Sequence, residues 1–173
     1  MNPSAVRRNR LPIPPSGADF PFPGTSAPGL RLRTYGVSRA TLPGVYDEAT
    51  ADAALVEVRR ICLDLPEATE RLSHGSPTFF VRDKKTFVSF VDDHHGDGRL
   101  AIWCAAPPGA QEQLVEQEPD RFFRPPYVGG RGWLGVRLDI EPDWTELAEI
   151  CADAYRQVAP KRLVAELDDL TEA

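Results

Sequence analysis

Between residues 69 and 105 the chain repeats one arrangement, a short extended segment followed by a turn of only a few residues. Residues 69–73, 78–82, 86–92 and 100–105 read as strands. Asp83-Lys84-Lys85 joins the second to the third, and Asp93-His94-His95-Gly96-Asp97-Gly98 joins the third to the fourth, both with strong turn chemistry. Connections this short leave no room for a crossover, so neighbouring strands are expected to run antiparallel.

Helical periodicity brackets the strands. Ala54, Leu55, Val58, Ile61, Cys62 and Leu65 share one face of a helix that begins near Asp47, and Pro66 ends the run. Pro107-Pro108 opens a short helix through Gln117, with Ala110, Leu114 and Val115 inward and Pro119 as its stop. A strand over residues 133–139 follows. Pro142 and Asp143 then start the clearest helix, in which Trp144, Leu147, Cys151, Ala154, Tyr155 and Val158 form a continuous stripe; Asp143 with Glu146 resembles a capping box. Pro160 breaks it, and Leu163, Val164, Leu167 and Leu170 mark a closing helix. The pattern predicts an α+β domain of two layers, a mostly antiparallel sheet of about five strands with helices packed on one face.

The 173 residues suffice for one domain with a real core, here residues 46–173. Residues 1–45 hold eight prolines and five glycines with no apolar period, and read as a disordered tail rich in Pro, Gly and Arg. Met1 is the sole methionine, so a start at Val45, read from a GTG codon, would leave this tail untranslated. Apolar runs are too short for a membrane span, and no apolar block follows the early arginines as a secretory signal requires. Cys62, Cys104 and Cys151 are odd in number and widely spaced, which suits buried reduced thiols in a cytoplasmic protein better than a disulfide framework or a zinc site.

Charge separates the layers. Residues 46–173 carry 14 basic and 25 acidic groups, a net of -11 that repels polyanions at long range. The helical segments hold most of the acids: residues 46–70 have two basic and seven acidic groups, and residues 138–173 have three and ten. Residues 71–137, the strand region, are near neutral with nine and eight. Within it, residues 121–139 combine a double proline, a glycine cluster and four arginines in a loop that runs into a strand. Alternation places Leu134, Val136 and Leu138 on the helix side, and Trp103, Trp133 and Arg137 on the other. That second face reads either as an exposed binding surface or as tryptophan core covered by the 121–132 loop.

No catalytic constellation emerges, and a non-enzymatic protein is expected. His74, in Ser73-His74-Gly75-Ser76-Pro77, has no group placed to orient it and reads as a turn residue at a strand end. Asp92, Asp93, His94, His95 and Asp97 have the composition of metal ligands, but their spacing matches no metal motif; neither metal nor cofactor is expected. Gly129-Gly130-Arg131-Gly132 lacks the lysine and the following helix of a phosphate loop.

The runs LSHGSPTFFV, TFVSF, FFRPPY, GRGWLGVRLD and WTELAEICADAYRQVAPKRL together resemble the MmcQ/YjbR-like proteins over residues 55–167. The resemblance implies a fold similar to the frataxin-like CyaY architecture, and a DNA-binding label of the double-wing type. On that reading Arg82, Lys84, Lys85, Arg99, Arg124, Arg131 and Arg137 would contact phosphates, with Trp103 or Trp133 stacking. The alternative is a module for a protein or small ligand, with the 122–133 loop as a pocket wall and His74, Phe79, Tyr127 and Trp133 lining it. No membrane partner is expected.

Overall fold

A computed structural model of the protein describes residues 46–172. The expected tail at residues 1–45, with its alternative start at Val45, lies outside the described residues. Four helices and six strands follow in the order α1 (Glu48–Leu63), β1 (Ala68–Ser73), β2 (Ser76–Val81), β3 (Lys85–Asp92), β4 (Leu100–Ala105), α2 (Ala110–Gln117), β5 (Phe122–Phe123), β6 (Trp133–Arg137), α3 (Trp144–Val158) and α4 (Lys161–Glu172). Every strand pairs antiparallel, and the sheet order is β1-β2-β3-β4-β6-β5. The α+β class and the antiparallel sheet are as the turns imply.

The turns have the backbone their residues favour. His74 and Gly75 close β1 onto β2 with φ of 51° and 83°, a pair that matches the twist of antiparallel strands. Arg82 and Asp83 do the same between β2 and β3, with φ of 54° and 56°. The second strand therefore ends at Val81, and Arg82 belongs to the turn. The sixth strand was not expected: Phe122 and Phe123 pair with Val136 and Gly135, a contact too short to show any period. β6 also stops at Arg137, two residues before the expected end.

The helix-side core joins α1, α3 and α4 to the sheet through Val58, Phe79, Phe87, Ile102, Leu134, Leu147, Tyr155 and Leu163. Asp47 caps α1, accepting from the Thr50 hydroxyl at 2.6 Å and the Thr50 amide at 2.8 Å; these bonds hold its carboxyl below the usual range. Asp143 caps α3 by accepting from the amides of Thr145 and Glu146. Tyr155 is fully buried, meets Phe87 edge-on, and donates its hydroxyl to the Pro66 carbonyl at 2.6 Å, tying α3 to the link between α1 and β1. Two expected helix faces differ. Leu170 is 64% exposed. In α2 the buried residue is Gln111, with Ala110, Leu114 and Val115 only partly covered.

The far side of the sheet carries a smaller cluster of Val91, Ala101, Trp103 and Phe123, with Val128 and Trp133 packed against it. Trp103 is only 8% exposed, so of the two readings of this face the covered one holds there. Gly135 makes the cover possible. A Cβ built on it would stand 2.5 Å from Cζ of Phe123, whose ring lies directly over the glycine.

Candidate ligand cleft

A row of paired residues crosses the far face of the sheet, Arg71 beside Thr78, Thr78 beside Ser89, Ser89 beside Trp103. Apolar residues precede and follow each hydroxyl, so the period of two turns the hydroxyls to one side and their neighbours into the helix-side core. Thr78 is buried and donates to the Ser76 carbonyl at 3.1 Å. Thr78, Ser89 and Trp103 floor a cleft of about 530 Å³, within the size range of small-molecule sites.

Three connections form its rim: the Ser73–His74 end of the β1–β2 turn, the His94 loop, and the segment from Tyr127 to Arg131. The last two are locally fixed. Asp93 sits in the left-handed region, and its carboxylate accepts from the Gly98 amide at 2.7 Å, while Asp97 accepts from the Arg99 amide at 3.1 Å. Tyr46 donates to Asp92 and also lies 3.2 Å from the Arg99 carbonyl; burial first, then Asp92, pushes its phenol well above the usual range. This holds the His94 ring 4.8 Å from Trp103 in an edge-on arrangement and 6.1 Å from Tyr127.

The third rim depends on residues that a plain strand would not use. Pro125 and Pro126 stiffen its approach, and their carbonyls accept from Gly129 and Val128 at 3.0 and 2.7 Å. Gly129 leaves room for Arg124, whose Cγ would lie 2.5 Å from an added Cβ. Gln111 reaches from α2 to donate to the carbonyls of Gly129, at 2.9 Å, and Trp133. One buried amide thus clamps both ends of the turn that carries Arg131.

Two polar atoms in the lining are buried without a hydrogen-bond partner, the indole Nε1 of Trp103 and Nε2 of His94. A buried unpaired donor costs roughly 1–3 kcal/mol. Both residues line the cleft.

Of the expected pocket residues, His74 and Tyr127 line the cleft. Phe79 is displaced from it, because β2 alternation turns its ring into the helix-side core, and Trp133 lies outside the lining at the other end of β6. The expected nucleic-acid residues scatter. Lys84 and Lys85 are exposed at the β2–β3 turn, at the opposite end of the sheet from the His94 loop, and Arg82 beside them pairs with Glu67 at 3.0 Å. Arg137 pairs with Asp139 at 2.6 Å, Arg99 lies over the Phe123 ring at 4.5 Å, and Arg124 packs on Gly129. Among these cations Arg131 lines the cleft, and Trp103 lies at its floor.

Thr78 and Ser89 went unnoticed in sequence, although a hydroxyl isolated between apolar strand residues was a readable signal. The His94 loop reads in sequence as a turn and a metal candidate, not as the rim of a cleft. Among the described residues no group of three or more His, Cys, Asp or Glu is placed to hold a metal ion, and no helix is long and apolar enough to cross a membrane. The three cysteines are free and buried, and burial pushes the thiols of Cys62 and Cys104 well up.

A family model described as YjbR matches residues 63–157, more than half of the chain. The crystal structure of Deinococcus radiodurans protein DR2400, described as a DUF419 domain, is similar with a TM-score of 0.53 and 18% identity, covering 66% of this chain and 87% of that one. At that identity the likeness speaks for the fold alone. No curated protein matches.

Proposed function

The chain belongs to the YjbR family, and from that premise we propose that it works as a binding module, taking a small ligand into the far-face cleft. One observation carries the reading: the Trp103 indole N–H is buried at the cleft without a partner. A bound acceptor would remove that penalty and add contact with the surrounding aromatic edges.

Binding of DNA across the sheet face is the competing reading. Its support is the exposed Lys84-Lys85 turn. Against it stand the -11 charge of residues 46–173 and the pairing of Arg82 and Arg137 with carboxylates, which leaves few cations to neutralise phosphates.

Indole N–H resonances separate the two readings, because the chain has only three tryptophans and Trp103→Phe identifies the signal of one of them. The full chain is titrated with mixtures of small polar fragments and, separately, with duplex DNA at low salt. The cleft reading expects saturable movement of the Trp103 signal with some fragment while the Trp144 signal stays fixed. If no fragment moves Trp103 while DNA moves the Lys84 and Lys85 amides, with an affinity that falls as salt rises, the module binds nucleic acid instead.

A further inference from the structure

Resting on the cleft reading, we infer that the ligand is a small organic anion, a carboxylate or phosphate monoester on an apolar, ring-sized body. The donor inventory points there. The Trp103 indole offers only a donor, and so does the Arg131 guanidinium, so a ligand group facing either must accept. Arg131 makes no ion pair among the described residues. The serine hydroxyls at the floor and rim can donate as well, and His94 Nε2 is without a partner.

The acids are as informative as the donors. Residues 46–173 hold 25 acidic groups against 14 basic ones, yet no Asp or Glu lines the cleft. A cationic ligand would find no countercharge there. An anion would find a guanidinium at the rim and an indole N–H at the buried floor, and charge-assisted hydrogen bonds are the stronger kind. Apolar contact comes from Val91, Val128 and the rings of Trp103 and Tyr127, which suits a ligand with a flat apolar body better than a bare inorganic ion.

Four probes of one shape and different charge test this on the full chain: benzoate, phenyl phosphate, benzamide and benzylamine, each followed through the Trp103 indole signal. Benzoate or phenyl phosphate should bind at least about tenfold more tightly than benzamide, the scale of one charge-assisted contact, and benzylamine should not bind. The tighter of the two anions identifies the head group. Inorganic phosphate should bind more weakly than phenyl phosphate. Arg131→Gln, at an exposed position, should retain the wild-type spectrum and reduce anion affinity about tenfold while leaving benzamide unchanged. If benzamide or benzylamine binds as well as the anions, the anion assignment falls and the cleft reading stands. If none of the probes moves the Trp103 signal at millimolar concentration, the anion assignment falls, and the fragment and DNA titrations decide the cleft reading.

Discussion

Gly135→Ala tests whether the Phe123 ring, laid over β6, is what builds the covered side of the sheet. The added Cβ would meet Cζ, Cε1 and Cε2 of that ring at 2.5, 2.6 and 2.6 Å, far inside any normal carbon contact. Phe123 is 9% exposed and packs with Trp103, Val91 and Ala101, so the ring has no free direction in which to retreat. Overpacking of this kind costs about 1–3 kcal/mol. A domain of about 130 residues loses roughly 4 °C of Tm per kcal/mol, so the expected drop is roughly 4–12 °C. The sign should reverse when the ring is removed. In a Phe123→Ala background the glycine has nothing above it, and Gly→Ala in a strand then contributes about 0.5–1 kcal/mol of stability. Urea melts of the wild type, both single variants and the double variant close the cycle, with an expected coupling of about 1.5–4 kcal/mol from these two terms. Equal destabilisation by Gly135→Ala in both backgrounds would refute the account, since the cost would then lie in the backbone and not in the ring.

Gln111→Leu should destabilise by about 2 kcal/mol, because the carbonyls of Gly129 and Trp133 lose a buried donor. Amide exchange should speed up most at residues 129–132, and uniform acceleration across α2 and the loop would argue against a local clamp. Tyr155→Phe should cost about 1–2 kcal/mol through the stranded Pro66 carbonyl. Wild-type melts across alkaline pH report the phenols of Tyr46 and Tyr155, both raised in the fold with burial as the leading cause. A raised folded-state value means that this stability is complete below the unfolded value near 10 and is lost as pH climbs toward the folded values. A Tyr46→Phe, Tyr155→Phe double variant should show a shallower alkaline loss; an unchanged slope would assign the loss to other groups. Cys62, Cys104 and Cys151 should resist a thiol reagent in native buffer and react fully in urea, because all three are buried out of the reagent's reach. Rapid labelling of the native chain would contradict that burial.

The helices and the four strands between residues 68 and 105 were legible because each repeats a period over enough residues to stand out. α3 shows why: its apolar stripe, its Asp143 cap and the Pro160 stop all point the same way. β5 has two residues and exists only because Gly135, thirteen positions after Phe122, leaves space for the Phe123 ring. No window of local sequence contains that relation. Gln111 was hidden for the same reason, since its partners lie 18 and 22 residues away and a glutamine in a short helix reads as solvated.

The cleft was half legible, and the missing half is instructive. Trp103, His74 and Tyr127 could be singled out by residue type, but the property that makes the place a site is relational: an indole N–H buried with nothing to bond. Cover and cleft share a cause. The loop that buries Trp103 is shaped by prolines, by glycines that admit Arg124 and Phe123, and by the Gln111 clamp, and it also delivers Tyr127, Val128 and Arg131 to the rim. Had it served only to cover a tryptophan, Val128 and the Phe123 ring would suffice, with no need for an arginine in the lining of the same cleft. The combination of a tightly held loop and an unsatisfied floor is what a preorganised binding site requires, because the ordering cost is met before the ligand arrives.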